Sequence, residues 1–193
     1  MVDKSLLKGT KTEVNLMKAF AGESQARNRY TMYASVAKKE GYEQIAAIFL
    51  ETADNEKEHA KIYYKFFEGQ NVEICSTFPS AYGNTYENLL AAAYVEHDEW
   101  THLYPSFGDV AEAEGFMEVA TAFRQVAQVE KNHDARYRKL AQNIADNMVF
   151  KKNNDVHWHC RNCGLVILNK SAPEICPTCH HPQSFYEVFA ENY

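Results

Sequence analysis

The sequence predicts a mainly α-helical chain, a four-helix bundle followed by a small metal-held module. Three observations carry that prediction. A stretch beginning at residue 40 recurs at residue 114, the apolar residues of both copies are spaced as on one helix face, and four of the five cysteines fall in two Cys-x-x-Cys pairs near the end. With 193 residues, 46% of them apolar, the chain is long enough for one well-filled bundle and an appendage. Its formal charge of -6 argues against nucleic acid or an anionic membrane as partner, since both demand a basic face.

The chain begins Met1-Val2-Asp3-Lys4-Ser5-Leu6-Leu7-Lys8-Gly9, with charge and glycine where a signal peptide would carry its apolar region. No later stretch reaches membrane-spanning length, so a cytoplasmic protein is expected. In that reducing compartment paired cysteines read as metal ligands rather than disulfides, and Cys75 is left as a free thiol.

The first helix carries Tyr30, Tyr33, Val36 and Ala37 and breaks near Gly41; the second carries Ile45, Ile48, Phe49 and Thr52. The third repeats the first with Tyr104, Phe107, Val110 and Ala111 and breaks near Gly115, and the fourth repeats the second with Val119, Ala122, Phe123 and Val126. Residues 40–59 and 114–133 align without a gap and share Glu, Gly, Ala, Phe, Ala, Glu, Lys and His at matching positions. Two such hairpins make a four-helix bundle. Between them the segment from Glu68-Gly69-Gln70 to Tyr82-Gly83-Asn84 is long enough to cross the bundle, which favours the ferritin-like topology with one long crossover. Residues 1–150 are assigned to this bundle. Lys151-Lys152-Asn153-Asn154-Asp155 reads as a polar linker, and residues 156–193 as a separate module too short for a core of its own without a metal.

The bundle carries a carboxylate and histidine constellation. In a di-iron carboxylate bundle two helices each give a Glu and two each give Glu-x-x-His, whose i, i+3 spacing turns both side chains inward. Here Glu23 lies on the first helix, Glu56 and His59 on the second, Glu96 on the third, and Glu130 and His133 on the fourth. Glu on a helix ordinarily faces solvent. What favours a site is the repeat, which places both Glu-x-x-His motifs at equivalent positions. A third such motif, Glu99-Trp100-Thr101-His102, has no counterpart in the repeat, and His102 reads as a surface or supporting histidine, with a ligand role as the alternative. Many carboxylates and two histidines suit iron or manganese better than structural zinc.

The two halves differ by one residue. Tyr30 follows Glu23 by seven positions, whereas Tyr104 follows Glu96 by eight, so an insertion lies between Glu96 and Tyr104. A helix commonly absorbs such an insertion as a π-bulge, often at a functional site. Here it coincides with an extra acid, Glu99.

Cys160-Arg161-Asn162-Cys163-Gly164 and Cys176-Pro177-Thr178-Cys179 are two knuckles with four thiolates for a tetrahedral zinc or iron. Trp158, Phe185, Tyr186 and Phe189 are expected to cover them. A one-electron centre beside a two-iron site favours iron.

Taken together, these residues resemble the rubrerythrin family along the whole chain, through the two Glu-x-x-His motifs, the added acid in Glu96-His97-Asp98-Glu99, and the run Cys176-Pro177-Thr178-Cys179-His180-His181-Pro182. The residue after Cys179 is not glycine, a departure from simple rubredoxins. The resemblance implies a di-iron centre bridged by Glu56 and Glu130, with Glu23, Glu96 and His133 as further ligands, and an exchange of Glu99 for His59 between oxidised and reduced states. It implies that Tyr30 and Tyr104 hydrogen-bond the ligating carboxylates, and that Cys160, Cys163, Cys176 and Cys179 hold a mononuclear iron. The activity it implies is reduction of hydrogen peroxide to water. Electrons would come from NADH through a separate reductase or rubredoxin, and would pass between the subunits of a head-to-tail homodimer. Two rivals remain open at this point: a ferroxidase or oxygen reductase of the ferritin-like class, and a non-catalytic metal-binding protein with a zinc ribbon.

Overall fold

The computed structural model describes residues 4–67 and 71–192. Helix α1 (Lys11–Lys39) is capped by Thr10, whose hydroxyl accepts from the Glu13 N–H at 3.1 Å. It stops at Gly41, which takes a φ of 84° so that the Tyr42 N–H can reach back to the Ala37 carbonyl at 2.9 Å. Helix α2 (Glu43–Tyr64) then runs back alongside α1.

The second hairpin repeats the device. Helix α3 (Thr85–Asp98) opens on an Asn84–Glu87 capping box, passes through a π-helical turn at Glu99–Leu103 and continues as α4 (Tyr104–Ala113). Gly115, with a φ of 87°, lets the Phe116 N–H bond the Ala111 carbonyl at 2.8 Å before α5 (Met117–Ala145). The insertion inferred from the tyrosine spacing is therefore absorbed as a π turn, and register is restored beyond it.

These four rods make the expected ferritin-like bundle, with α3, the π turn and α4 acting as one. Two apolar clusters fill it. One joins Tyr30, Tyr33, Phe49, Leu89, Ala92 and Tyr137; the other joins Leu16, Tyr63, Tyr104, Phe107, Val119 and Phe123. On every rod the Glu and Glu-x-x-His positions fall between residues of the two clusters, so the acids form a layer across the middle, walled by hydrocarbon. Such walls exclude water and leave buried charge to be balanced from within.

The start of the crossover, Glu68-Gly69-Gln70, lies outside the described residues. Its later part runs against α1, where Tyr33 Oη donates to the Ala81 carbonyl at 2.5 Å. Among the described residues no helix is long and apolar enough to cross a membrane.

A three-stranded antiparallel sheet follows, in the order β2 (Val166–Ser171), β1 (Lys151–Cys160), β3 (Tyr186–Val188). Lys151–Asp155 is the first half of β1, not a linker: Lys151 pairs with Ser171, and a bulge separates that pair from Val156 opposite Asn169. Its side chains are largely exposed, so no apolar alternation marks it as a strand. The module sits at the start of α2, where the rings of Tyr42 and Phe150 stack 6.1 Å apart.

Candidate metal centres

Two groups of ligand atoms occupy the buried layer, each within 4.8 Å: Glu23, Glu56, His59 and Glu130 in one, Glu56, Glu96, Glu130 and His133 in the other. Glu56 and Glu130 belong to both. Glu56 turns Oε2 to His59 Nδ1 at 2.9 Å and Oε1 to His133 Nδ1 at 3.3 Å. Glu130 turns Oε1 to His59 Nδ1 at 2.9 Å and Oε2 to His133 Nδ1 at 2.7 Å. Each carboxylate thus offers one oxygen to each half, as a bridge between two cations requires. Glu23 Oε2 lies 3.8 Å from His59 and Glu96 Oε2 3.6 Å from His133, completing the two halves.

The electrostatics call for cations. Glu23 Oε2, Glu56 Oε1, Glu96 Oε2 and both oxygens of Glu130 are buried without a well-aligned hydrogen bond, their nearest polar neighbours being the two imidazoles, a costly state for a carboxylate unless positive charge meets it. Burial, then the charge of Glu56, pushes Glu23 and Glu96 well above the usual carboxylate range. Burial acts against Glu56 too, but the imidazoles of His133 and His59 outweigh it and bring it down to about 2. Burial would lower His133, yet Glu130, Glu56 and Glu96 hold it up at about 12; His59 is raised in the same way by Glu130, Glu23 and Glu56. The two imidazolium groups occupy the electrostatic role that two metal ions fill, so the donor set fits a dinuclear oxygen-rich centre.

Tyr30 Oη donates to Glu96, and Tyr104 Oη to Glu23. Glu99 is buried, 8% exposed, yet stands outside both ligand groups. Burial, then the carboxylates of Glu23 and Glu96, raises its pKa well above the usual range. It lines a cavity of about 620 Å³ shared with Gly22, Gln25, Cys75, Tyr94 and Phe107. His102 is exposed, 3.4 Å from Asp98, and belongs to no cluster.

Sequence reasoning missed Asp134. Buried beside His133, it accepts from His97 Nδ1 at 2.9 Å, Trp100 Nε1 at 3.0 Å and Arg138 Nε at 2.6 Å. His97 follows Glu96, Trp100 follows Glu99 and Asp134 follows His133, so this clamp ties together the backbones that carry three site residues. The available signal was its adjacency to those residues.

In the module, Cys160 and Cys179 Sγ lie 3.8 Å apart and Cys163 and Cys176 Sγ 3.7 Å, and all four thiols converge. Gly164, with a φ of 80°, donates its N–H to the Cys160 carbonyl at 2.8 Å. His180 does the same for Cys176 at 2.9 Å with a φ of 58°, so the missing glycine leaves the second knuckle's turn intact. Burial works against ionising Cys176, but the Tyr186 hydroxyl and the N–H groups of Cys179 and Thr178 lower it to about 6. The Leu165 N–H favours a Cys163 thiolate, yet desolvation and the neighbouring sulfurs push it up to about 12. Four thiolates therefore coexist only around a cation. Trp158, Tyr186 and, less deeply, Phe185 pack around the cysteines, while Phe189 rests on His159.

Comparison with known proteins agrees with this construction. A family model described as Rubrerythrin matches residues 14–141, and one described as Rubrerythrin, rubredoxin-like domain matches residues 158–187. The rubrerythrin of Porphyromonas gingivalis is 55% identical over 97% of this chain and 94% of its own length. That of Nitratidesulfovibrio vulgaris is 47% identical over 97% and 98%. A solved structure of nigerythrin in a partially reduced state superposes with a TM-score of 0.63 at 28% identity, covering 98% of this chain and 94% of that one. With its paired carboxylate and histidine clusters and its four-cysteine knuckles, this chain belongs to the rubrerythrin family of di-iron proteins with a rubredoxin-like iron domain.

Proposed function

We propose that the chain is a peroxidase that reduces hydrogen peroxide to two waters, consuming two electrons and two protons. The observation that carries this reading is Glu99, a buried acid outside both ligand groups that lines an approach cavity, while His59 stands inside one group. Two irons, when bound, supply the two electrons and the Lewis acidity that reductive O–O cleavage requires.

Glu56 and Glu130, which belong to both ligand groups, would be shared by the two irons, Glu23 and Glu96 would each serve one of them, and His133 would be a constant ligand. Glu99 and His59 would alternate as ligands, the carboxylate suiting ferric and the imidazole ferrous iron. His59 stands among Glu23, Glu56 and Glu130 while Glu99 stays outside, which supports an arrangement suited to ferrous iron. In it the Glu99 carboxyl, raised in pKa by burial and by Glu23 and Glu96, holds a proton that it can give to the departing oxygen. Tyr30 and Tyr104 fix Glu96 and Glu23 through that change.

Electrons re-enter one at a time at the cysteine module, from a separate NADH-dependent reductase or a rubredoxin in a reducing cytoplasm. The module sits at the start of α2, and Glu56 lies 13 residues further along, about 20 Å at 1.5 Å per residue. That separation favours transfer from one protomer's module to the partner's bundle in a head-to-tail homodimer.

Anaerobic stopped-flow of the fully reduced protein tests the activity, following the ferric–thiolate absorption after mixing with peroxide or with oxygen. Rapid return with peroxide and slow return with oxygen is expected. Faster reaction with oxygen would establish an oxygen reductase or ferroxidase instead, and a colourless protein with zinc at the cysteines would remove the electron-transfer half.

A further inference from the structure

The repeat makes His59 and His133 equivalent, 74 positions apart, and both turn Nδ1 to the shared carboxylates. Their other ring nitrogens differ. His133 Nε2 lies 3.3 Å from Asn55 Oδ1, on α2 one residue before Glu56. The position of α5 that corresponds to Asn55, one residue before Glu130, is Val129. An isopropyl group accepts no hydrogen bond, and among the described residues every polar contact of His59 runs through Nδ1. Asn55 and Val129 are both half-buried, so the two halves differ here in chemistry rather than in access.

A hydrogen bond to the distal nitrogen of a ligating histidine fixes its tautomer and ring orientation, and losing it commonly costs about 10–100-fold in metal affinity. We infer that Asn55 is the positioning residue that anchors His133, and that Val129 at the matching place leaves His59 free to depart. The inference rests on the proposed exchange of His59 with Glu99. Glu99 supplies the arriving ligand on one half only, and the Asn55/Val129 difference determines which histidine yields. The Asn55 amide oxygen holds one ring by its back; the other ring turns about χ1 and χ2 with no distal hydrogen bond to break.

The test uses the full-length chain with zinc(II) in the bundle, a diamagnetic probe in which histidine ring N–H signals are read by 1H–15N NMR. The expected pattern is a His133 Nε2–H slow to exchange with solvent and a His59 Nε2–H exchanging at least about tenfold faster. N55V should abolish the His133 protection, and N55D, which keeps an acceptor, should restore it. V129N should give His59 a protected N–H and, in the iron-loaded protein, slow peroxide turnover by roughly fivefold, the equilibrium factor of one ordinary hydrogen bond. Equal exchange at the two histidines in the wild type, or His133 protection that survives N55V, would overturn the inference. If N55V fails to fold, V129N decides alone: a newly protected His59 with undiminished turnover also overturns it. The ring N–H pattern does not depend on peroxide chemistry, so a protein with that pattern but no peroxide activity would cost the peroxidase reading and leave the asymmetric anchoring standing.

Discussion

The hydroxyl of Tyr30, on the first hairpin, donates to Glu96 on the second, and Tyr104 on the second hairpin returns the bond to Glu23 on the first. Each hairpin thus holds a carboxylate of the other, in a layer where Tyr30 and Tyr104 are fully buried. Y30F leaves a buried Glu96 oxygen without its hydroxyl donor. It should destabilise the protein by about 1–3 kcal/mol, as should Y104F, read from urea unfolding midpoints at unchanged slope.

Removing the acid at position 99 should separate the two redox sites. E99A is expected to lower peroxide turnover by about 10²-fold or more, the usual contribution of a positioned general acid. The visible spectrum of the cysteine site should be unaffected, because Glu99 belongs to the bundle alone. Wild-type turnover in E99A, measured by stopped-flow, would sink the His59–Glu99 exchange.

The pH dependence of the metal-free protein follows from the same cluster. His133 is raised from about 6.5 to about 12 in the fold, so its contribution to stability is complete below about pH 6.5 and is lost as pH climbs toward 12. Glu23 and Glu96, also raised, act in the same direction, losing their contribution above the unfolded carboxylate pKa. Glu56, lowered to about 2, opposes them only in acid, where its contribution disappears as pH falls toward 2. Melting temperature of the metal-free bundle should therefore fall between pH 7 and 10, while the loaded bundle should stay nearly flat. Metal uptake at pH 7 should release protons, countable with an indicator dye.

Stripping the cysteine metal should unfold the module and spare the bundle. Trp158 is fully buried against the cysteines and pairs with Ile167 and Val188. Its emission should shift to the red on chelation, with far-ultraviolet helicity retained. C176S should reproduce the effect without a chelator.

How much of this was legible in the sequence depends on what each feature required. The acids and histidines of the layer were visible because they recur at one offset, and the π turn because Tyr104 follows Glu96 by eight positions where Tyr30 follows Glu23 by seven. The tyrosines share a face with the ligands by spacing alone. That each reaches the opposite hairpin depends on how the rods pack, which no one helix encodes. The first half of β1 was hidden because Lys151–Asp155 is polar and largely exposed, and a strand without a buried face has no period to read. Asp134 was hidden because an acid on a helix ordinarily signals solvent, whereas here His97 and Trp100 of the third rod and Arg138 of its own helix close over it.

The five-residue π turn at Glu99–Leu103 also bears on how such a centre can arise. A duplicated hairpin yields two interchangeable ions, and nothing in a symmetric pair says which one is to react. One inserted residue, confined to a single turn because the helix beyond it returns to phase, goes with a buried acid at Glu99 and leaves the rest of the core in register. The two halves of the layer thus differ at position 99 without any repacking of either apolar cluster.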